Sequence, residues 1–252
     1  MTVLLPNKTA AFAKSLNHKS KTDAIDAKML AQMSLERDLP LWNPLGDTML
    51  LIKHLCRERA EIVDTQTVFK NRLHAKNHAY RPLKDSLQRA KKAQGLLKKQ
   101  TQDIEPALRH AIKQDDSLRQ RVENICSIPG VGFITAVCIL AETNAFAIFN
   151  SKAQLVSYAG YDVVQNQSGT SIKSPTQISK KGNHRIRKAL HFPAVTAVRS
   201  NPDMKRIFDR VFDKTKIKMK AYVAVQRKIL VLIFATFKSN KPHDPQHISV
   251  KL

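Results

Sequence analysis

Ser168 stands between Gln167 and Gly169, with the β-branched residues Val163 and Val164 before it and Ile172 after it. This pattern predicts a hairpin from Val163 to Lys173 that turns around Gly169 and leaves the serine hydroxyl approachable. Lys173, Lys180, Lys181, Arg185 and Arg187 follow closely. Cations around a hydroxyl lower the cost of a developing oxyanion and neutralise a pentacoordinate phosphate. A serine-glycine turn is common, so alone it is a weak signal. Asp23 and Asp26 form a second candidate site. Three apart at the start of a predicted helix, they share one face. Such a pair can hold Mg2+ against a phosphate oxygen, or it can be a solvated helix N-terminus favoured by the dipole.

Glycines supply the third group. The chain has only seven, and five lie between Val122 and Lys188. Ile128-Pro129-Gly130-Val131-Gly132, followed by Ala136, has the pattern of a helix-hairpin-helix loop. In that reading Gly130 and Gly132 let backbone N–H groups face an anion at a helix N-terminus. The other reading is a tight turn between core helices. Ser179-Lys180-Lys181-Gly182-Asn183 leads into another predicted helix and gives a second anion-receptive loop. Gly130, Gly132, Lys173, Lys180, Lys181, Asn183, Arg185 and Arg187 are therefore the candidate contacts to a nucleic-acid backbone.

The charge supports such a partner. The 252 residues carry 43 Lys and Arg against 20 Asp and Glu, a net charge of +23. Between Ser168 and Lys238 there are 17 Lys and Arg against three acids, Asp203, Asp209 and Asp213. This points to a polyanion, nucleic acid ahead of a membrane surface. Cys56, Cys126 and Cys138 make no CxxC pair and are odd in number, which argues against a disulfide framework or a zinc site. Cys126 and Cys138 sit among apolar residues and read as small buried side chains. The apolar run Ile229–Phe234 is too short to span a bilayer. No signal peptide opens the chain, and a reducing cytoplasm is expected.

The elements that must position these residues are mostly helical. Thr2–Leu5 reads as a short strand, Lys8–Leu16 as a helix, and Ala24–Arg37 as a helix capped by Thr22 or Asp23, with Ala27, Leu30, Ala31 and Met33 on its apolar face. Pro40 and Pro44 around Trp42 end that segment. A long helix is predicted from Asp47 to Asn77, and a second stretch from Leu83 to Val122 after Pro82. The second carries a 4-3-4-3 stripe of Leu83, Leu87, Ala90, Gln94, Leu97, Thr101, Ile104, Leu108 and Ala111. That rhythm is a coiled-coil heptad with two polar positions, or the face of an ordinary amphipathic helix; Pro106 should kink it. Helices follow at Phe133–Glu142, Ser151–Gly160, His184–Arg199, Pro202–Lys214 and Lys218–Lys238. The polar tail from Ser239 is expected to be disordered.

In this order the fragments resemble one family. They are Lys21-Thr22-Asp23-Ala24-Ile25-Asp26-Ala27, Ile128-Pro129-Gly130-Val131-Gly132, Phe149, Tyr158-Ala159-Gly160, Ser168-Gly169, Ser179-Lys180-Lys181-Gly182-Asn183, Arg187-Lys188-Ala189-Leu190 and Arg227-Lys228-Ile229-Leu230. The resemblance is to the one-ten family of bacterial insertion-sequence transposases, including its eleven-eleven branch, and it covers nearly the whole chain.

The resemblance implies a mainly α chain in four parts. Residues 1–45 would be the remnant of an α/β ribonuclease-H-like (RuvC-like) domain, and 46–123 a helical, coiled-coil linker. Residues 124–240 would be an α-rich transposase domain with a helix-hairpin-helix-like motif and a small β-hairpin, and 241–252 a disordered tail. It also implies DNA cutting and joining through a nucleophilic Ser168, four Mg2+-binding acids of which Asp23 and Asp26 would be the last two, a structured guide RNA, and dimers or tetramers held by the coil. The protein would be bacterial, cytoplasmic and associated with the nucleoid. In the family the first Asp and the Glu lie on strands well before the Lys-Thr-Asp motif, whereas no acid precedes Asp23 here. The expectation is an N-terminally truncated member with an incomplete metal site, inactive alone. Two other readings stand beside it. One is a non-catalytic DNA- or RNA-binding remnant that modulates the full-length transposase. The other is a structure-specific DNA-binding factor built on the Pro-Gly-Val-Gly loop.

Overall fold

The computed structural model describes residues 2–4, 6–17, 20, 22–39, 41, 44–164, 167–168, 172–173 and 177–244. They form two compact units, Met1–Leu45 and Gly46–Leu252.

The first unit is a pair of helices, α1 (Pro6–Ser15) and α2 (Asp23–Glu36). Proline opens α1, where its missing N–H is not needed. Thr22 caps α2, its hydroxyl accepting the Ile25 N–H at 3.3 Å. Phe12, Met29 and Met33 are buried together, with Leu4, Ala13, Leu16 and Leu39 packed at the edge. Two expectations are corrected here. Residues 2–4 form no strand; a lone strand has no ladder to satisfy its backbone groups. Leu5, Pro40 and Trp42 lie outside the described residues. The core face of α2 is Met29 and Met33, one turn apart, while Ala27, Leu30 and Ala31 are exposed.

The second unit starts with an antiparallel helical hairpin, α3 (Asp47–Asn77) and α4 (Lys84–Lys113). The heptad stripe of α4 faces α3 of the same chain. Its polar position Thr101 is matched: Gln66 donates to the Thr101 hydroxyl at 2.7 Å and to the Leu97 carbonyl at 2.8 Å. Nearer the connection, Lys76 reaches Ser86 at 2.6 Å. At the other end Ile52 and Cys56 join Ile104, Leu108, Ala111 and Ile112 in the main core. The far half of the hairpin is only partly covered, with Val68, Leu83 and Leu96 exposed. Helix α4 runs through Pro106 but stops at Lys113. The predicted continuation to Val122 is a separate helix, α5 (Asp116–Cys126), because Asp115 leaves the helical conformation and accepts the Leu118 N–H at 2.9 Å.

After the Ser127–Gly132 loop, α6 (Phe133–Thr143) runs through the centre of the unit, with Ala136, Val137, Ile139 and Ala141 at 0% exposure. A helix apolar on every side must be surrounded. Ser151 caps α7 (Lys152–Tyr158). Two short antiparallel strand pairs follow. Strand β1 (Val163–Val164) pairs antiparallel with β4 (Gln177–Ile178), and β2 (Gln167–Ser168) with β3 (Ile172–Lys173). Val163 lies opposite Ile178, so the paired arms reach past Lys173. Gly169 falls outside the described residues.

The helix expected from His184 to Arg199 divides at Leu190 into α8 (His184–Ala189) and α9 (His191–Ser200). Then come α10 (Pro202–Thr215), capped by Asn201, and α11 (Lys218–Ser239). The ridge Ala221, Val225, Ile229 and Ile233 of α11 is wholly buried against α5, α7, α9 and α10. The start of the tail is not loose. His243 N–H donates to Ser127 Oγ at 2.7 Å, and Asn240 accepts from Asn124 at 3.2 Å; residues 245–252 lie outside the described set. Cys56 is buried, but Cys126 and Cys138 are half-buried rather than enclosed. No helix among the described residues is long and apolar enough to cross a membrane.

Candidate nucleic-acid interface

Two loops are cinched together at the base of the β-hairpin. Asn183 N–H donates to the Tyr158 carbonyl at 2.7 Å, and Lys180 N–H to the Gly160 carbonyl at 3.2 Å. Ser179 donates twice to Asp162, from its N–H to the backbone carbonyl at 2.8 Å and from its hydroxyl to Oδ1 at 2.6 Å. Arg187 closes the arrangement on the carbonyls of Ala159 at 2.7 Å and Lys180 at 3.3 Å. Glycine is required here. A Cβ on Gly182 would lie 2.4 Å from the Tyr158 carbonyl oxygen and 2.6 Å from the Gly160 nitrogen. Gly160 has φ +72, and a Cβ there would meet Arg187 Nη1 at 2.6 Å.

Beneath these loops lies a feature the sequence reading missed. Glu142, near the end of α6, is 5% exposed. Its Oε1 accepts from Arg57 Nε at 2.9 Å, and its Oε2 from Arg57 Nη2 at 3.1 Å and Asn183 Nδ2 at 2.8 Å. Arg185 Nε stands 4.0 Å from Oε1. Burial pushes the Glu142 carboxyl up, but hydrogen bonds from Arg57 and Asn183, with the charges of Arg57 and Lys53, outweigh it and hold the group below its ordinary value. The other face of Asn183 caps α8, its Oδ1 accepting the N–H groups of Arg185 at 2.9 Å and Ile186 at 3.3 Å. One carboxylate thus joins α3, α6 and the start of α8. A glutamate inside an otherwise apolar helix was the available signal.

The predicted contacts therefore occupy different settings. Lys180 and Lys181 are exposed. Asn183, Arg185 and Arg187 are engaged by Glu142 or by backbone carbonyls. Lys188, not singled out from sequence, pairs with Asp64 of α3. Ser168 and Lys173 lie in the paired strands β2 and β3, with Ser168 opposite Ile172.

The Pro-Gly-Val-Gly loop splits its two glycines. Gly130, at φ +85, is pressed on α9, where a Cβ would come 2.5 Å from the Pro193 carbonyl oxygen. Gly132 is the N-cap of α6 and has open space around it.

In the first unit Asp23 is exposed and Asp26 half-buried, both in the first turn of α2. Among the described residues no group of three or more His, Cys, Asp or Glu side chains could hold a metal ion. Divalent cations of this kind take six or more oxygens, so the carboxylates present do not by themselves enclose one.

Comparison with known proteins places these features. Residues 122–209 match the model described as the Transposase IS116/IS110/IS902 family, and residues 1–82 match the DEDD transposase model of the IS110 group. The pilin gene-inverting protein of Moraxella bovis is 28% identical over 246 residues, covering 93% of this chain and 71% of that protein. Its counterpart in Moraxella lacunata matches to the same extent. An uncharacterized 43.6 kDa protein of insertion element IS110 in Streptomyces coelicolor is 28% identical over 114 residues, 45% of this chain and 28% of that protein. Two models of one family match at opposite ends of the chain, and the relatives belong with them: the chain is a member of the IS110 family of transposases, proteins of DNA transposition.

Proposed function

We propose that the chain cuts and joins DNA through Ser168. The serine oxygen attacks the phosphorus of a phosphodiester, a P–O(serine) bond forms, and one P–O(deoxyribose) bond breaks. The leaving oxygen takes a proton, and the serine proton passes to water. A deoxyribose hydroxyl that attacks the phosphoserine reverses the exchange and frees the enzyme. Lys180 and Lys181 supply positive charge to the phosphate, and the open N-terminus of α6 at Gly132 grips the DNA backbone in helix-hairpin-helix fashion. A structured guide RNA and oligomers formed through the α3–α4 hairpin complete the reading.

The observation that carries it is the hairpin. Ser168 lies in β2, opposite Ile172 of β3, and the neighbouring β1–β4 pair adjoins the cinched, basic Ser179–Arg187 segment.

Ser168→Ala tests the proposal. With a suicide substrate, the covalent protein–DNA adduct should disappear while binding affinity and its salt slope remain. An adduct that persists means another nucleophile. The two-carboxylate set favours a second reading, a nucleic-acid-binding protein that modulates a complete transposase. On that reading neither protein forms an adduct, with Mg2+ or without.

A further inference from the structure

A groove of about 390 Å3 opens between strand β4, the α8–α9 junction and α11, and shares Lys180 with the basic loop. Ile178, Met219 and Val223 give it apolar walls. Its floor is the amide of Gln226, a residue only 4% exposed. That amide is held from two sides. Its Oε1 accepts the Tyr161 hydroxyl at 2.9 Å, and its Nε2 lies 3.4 Å from His191 Nδ1. A primary amide has two N–H donors and two lone pairs, so these contacts leave one of each for something in the groove.

Phe192 forms the rim. It is 77% exposed, with only the edge-on ring of His191 beside it, 5.4 Å away at 70°. The remaining rim carries Lys180, Arg187 and Lys188, with Arg187 held by backbone carbonyls and Lys188 paired to Asp64, and none of the described lining residues is an acid. A large aromatic left in water beside an apolar slot, ringed by positive charge and floored by a fixed amide, is complementary to a planar group that carries hydrogen-bonding edges and a phosphate. A nucleobase on a strand has all three properties. The volume is near the lower end of the usual 300–1,000 Å3 for small-molecule sites, room for one base with its sugar and none for a duplex.

We propose that this groove is a pocket for one unpaired nucleobase, which stacks on Phe192, sets its edge against Gln226, and leaves a flanking phosphate on Lys180. The inference rests on the nucleic-acid reading above and adds which part of the polymer is gripped. It also gives the grip a place relative to the hairpin. Ile178 pairs with Val163 at the hairpin base, and the chain from Val163 to Ser168 spans at most about 17 Å. A base lodged in the groove is therefore tethered within a few nucleotides of the strand that carries the serine.

The test compares the 252-residue chain with Phe192→Ala by fluorescence anisotropy, using three labelled probes. These are a single-stranded oligodeoxynucleotide, an abasic strand of equal length, and a duplex. The wild-type protein should prefer the base-bearing strand over the abasic one by about five-fold or more. Phe192→Ala should erase that preference and leave abasic and duplex binding unchanged; the exposed ring carries no core packing, so the variant folds. Tyr161→Phe, which frees the Gln226 amide to turn, should alter the ranking among homopolymer strands without removing stacking. Equal wild-type binding to the base-bearing and abasic strands overturns the pocket, as does a preference that survives Phe192→Ala. A change of oligomeric state in Phe192→Ala with the preference intact overturns it in favour of a second copy of the chain. An adduct that persists in Ser168→Ala, or none from the wild-type chain, with the base preference kept, refutes the serine reading and leaves the pocket standing.

Discussion

Replacing Glu142 by alanine tests whether the buried carboxylate holds the basic loop in place. The change removes the acceptor of three hydrogen bonds, two from Arg57 and one from Asn183. Breaking a buried ion pair from one side costs about 3–5 kcal/mol, because the remaining charge is left without its partner. Arg57 is 39% exposed and can regain water, so the lower end, about 3 kcal/mol, applies. For a unit of about 200 residues each kcal/mol moves Tm by roughly 2–4 °C, which gives a fall of about 6–12 °C at pH 7. The pH dependence has a fixed sign. The folded-state carboxyl is held below its ordinary value of 4.5, so its stabilisation is complete above that pH and is lost as pH drops through the folded value. Thermal melts of wild type and Glu142→Ala should therefore differ most near neutral pH and converge as the pH falls below 4.5. A double-mutant cycle with Arg57→Ala should show coupling above about 1 kcal/mol. A fall of less than 2 °C at neutral pH, or a gap that stays constant on acidification, refutes the argument.

The glycines offer a contrast by melting temperature alone. Gly182→Ala should destabilise by about 2 kcal/mol or more, because its Cβ would strike two backbone atoms. Gly95→Ala, in the middle of α4 with nothing within 4 Å, should stabilise by about 0.5–1 kcal/mol. Lys181→Ala should weaken duplex binding for all sequences alike and reduce the slope of log K against log salt by about 0.9, with Tm unchanged. Asn183→Ala should do the reverse, lowering stability by about 1–2 kcal/mol through loss of the α8 cap and leaving the salt slope alone. If the two variants behave alike, the separation of free lysines from engaged polar groups is wrong.

Local signals read well from the sequence, and contacts made at a distance did not. The α3 helix, the Thr22 cap and the α4 stripe depend on neighbours within a turn or two, so spacing reveals them. The break at Asp115 was also local. Asp115-Asp116 is a capping signal, overlooked because the apolar rhythm before it was so regular. Met33 was read on the α2 core face but Met29 was missed, because the flanking small and apolar residues blur the helical phase. Glu142 is a different case. Its partners are 85 and 41 positions away in the chain, so its apolar helix marks the acid as out of place but nothing nearby shows what it meets. Gly130 carried a correct demand for unusual backbone, but its reason lies in Pro193, on a helix the spacing could not place beside it.

The α3–α4 hairpin has a mechanical consequence. With 31 residues, α3 is a rod about 46 Å long. It is bolted near one end by Arg57 to the same carboxylate that anchors Asn183. Lys188 grips the shaft again at Asp64. Torque applied at the free end, by a second molecule or by a bound polymer, is delivered through these two fasteners to the start of α8. The lever cannot swing and leave the basic loop at rest.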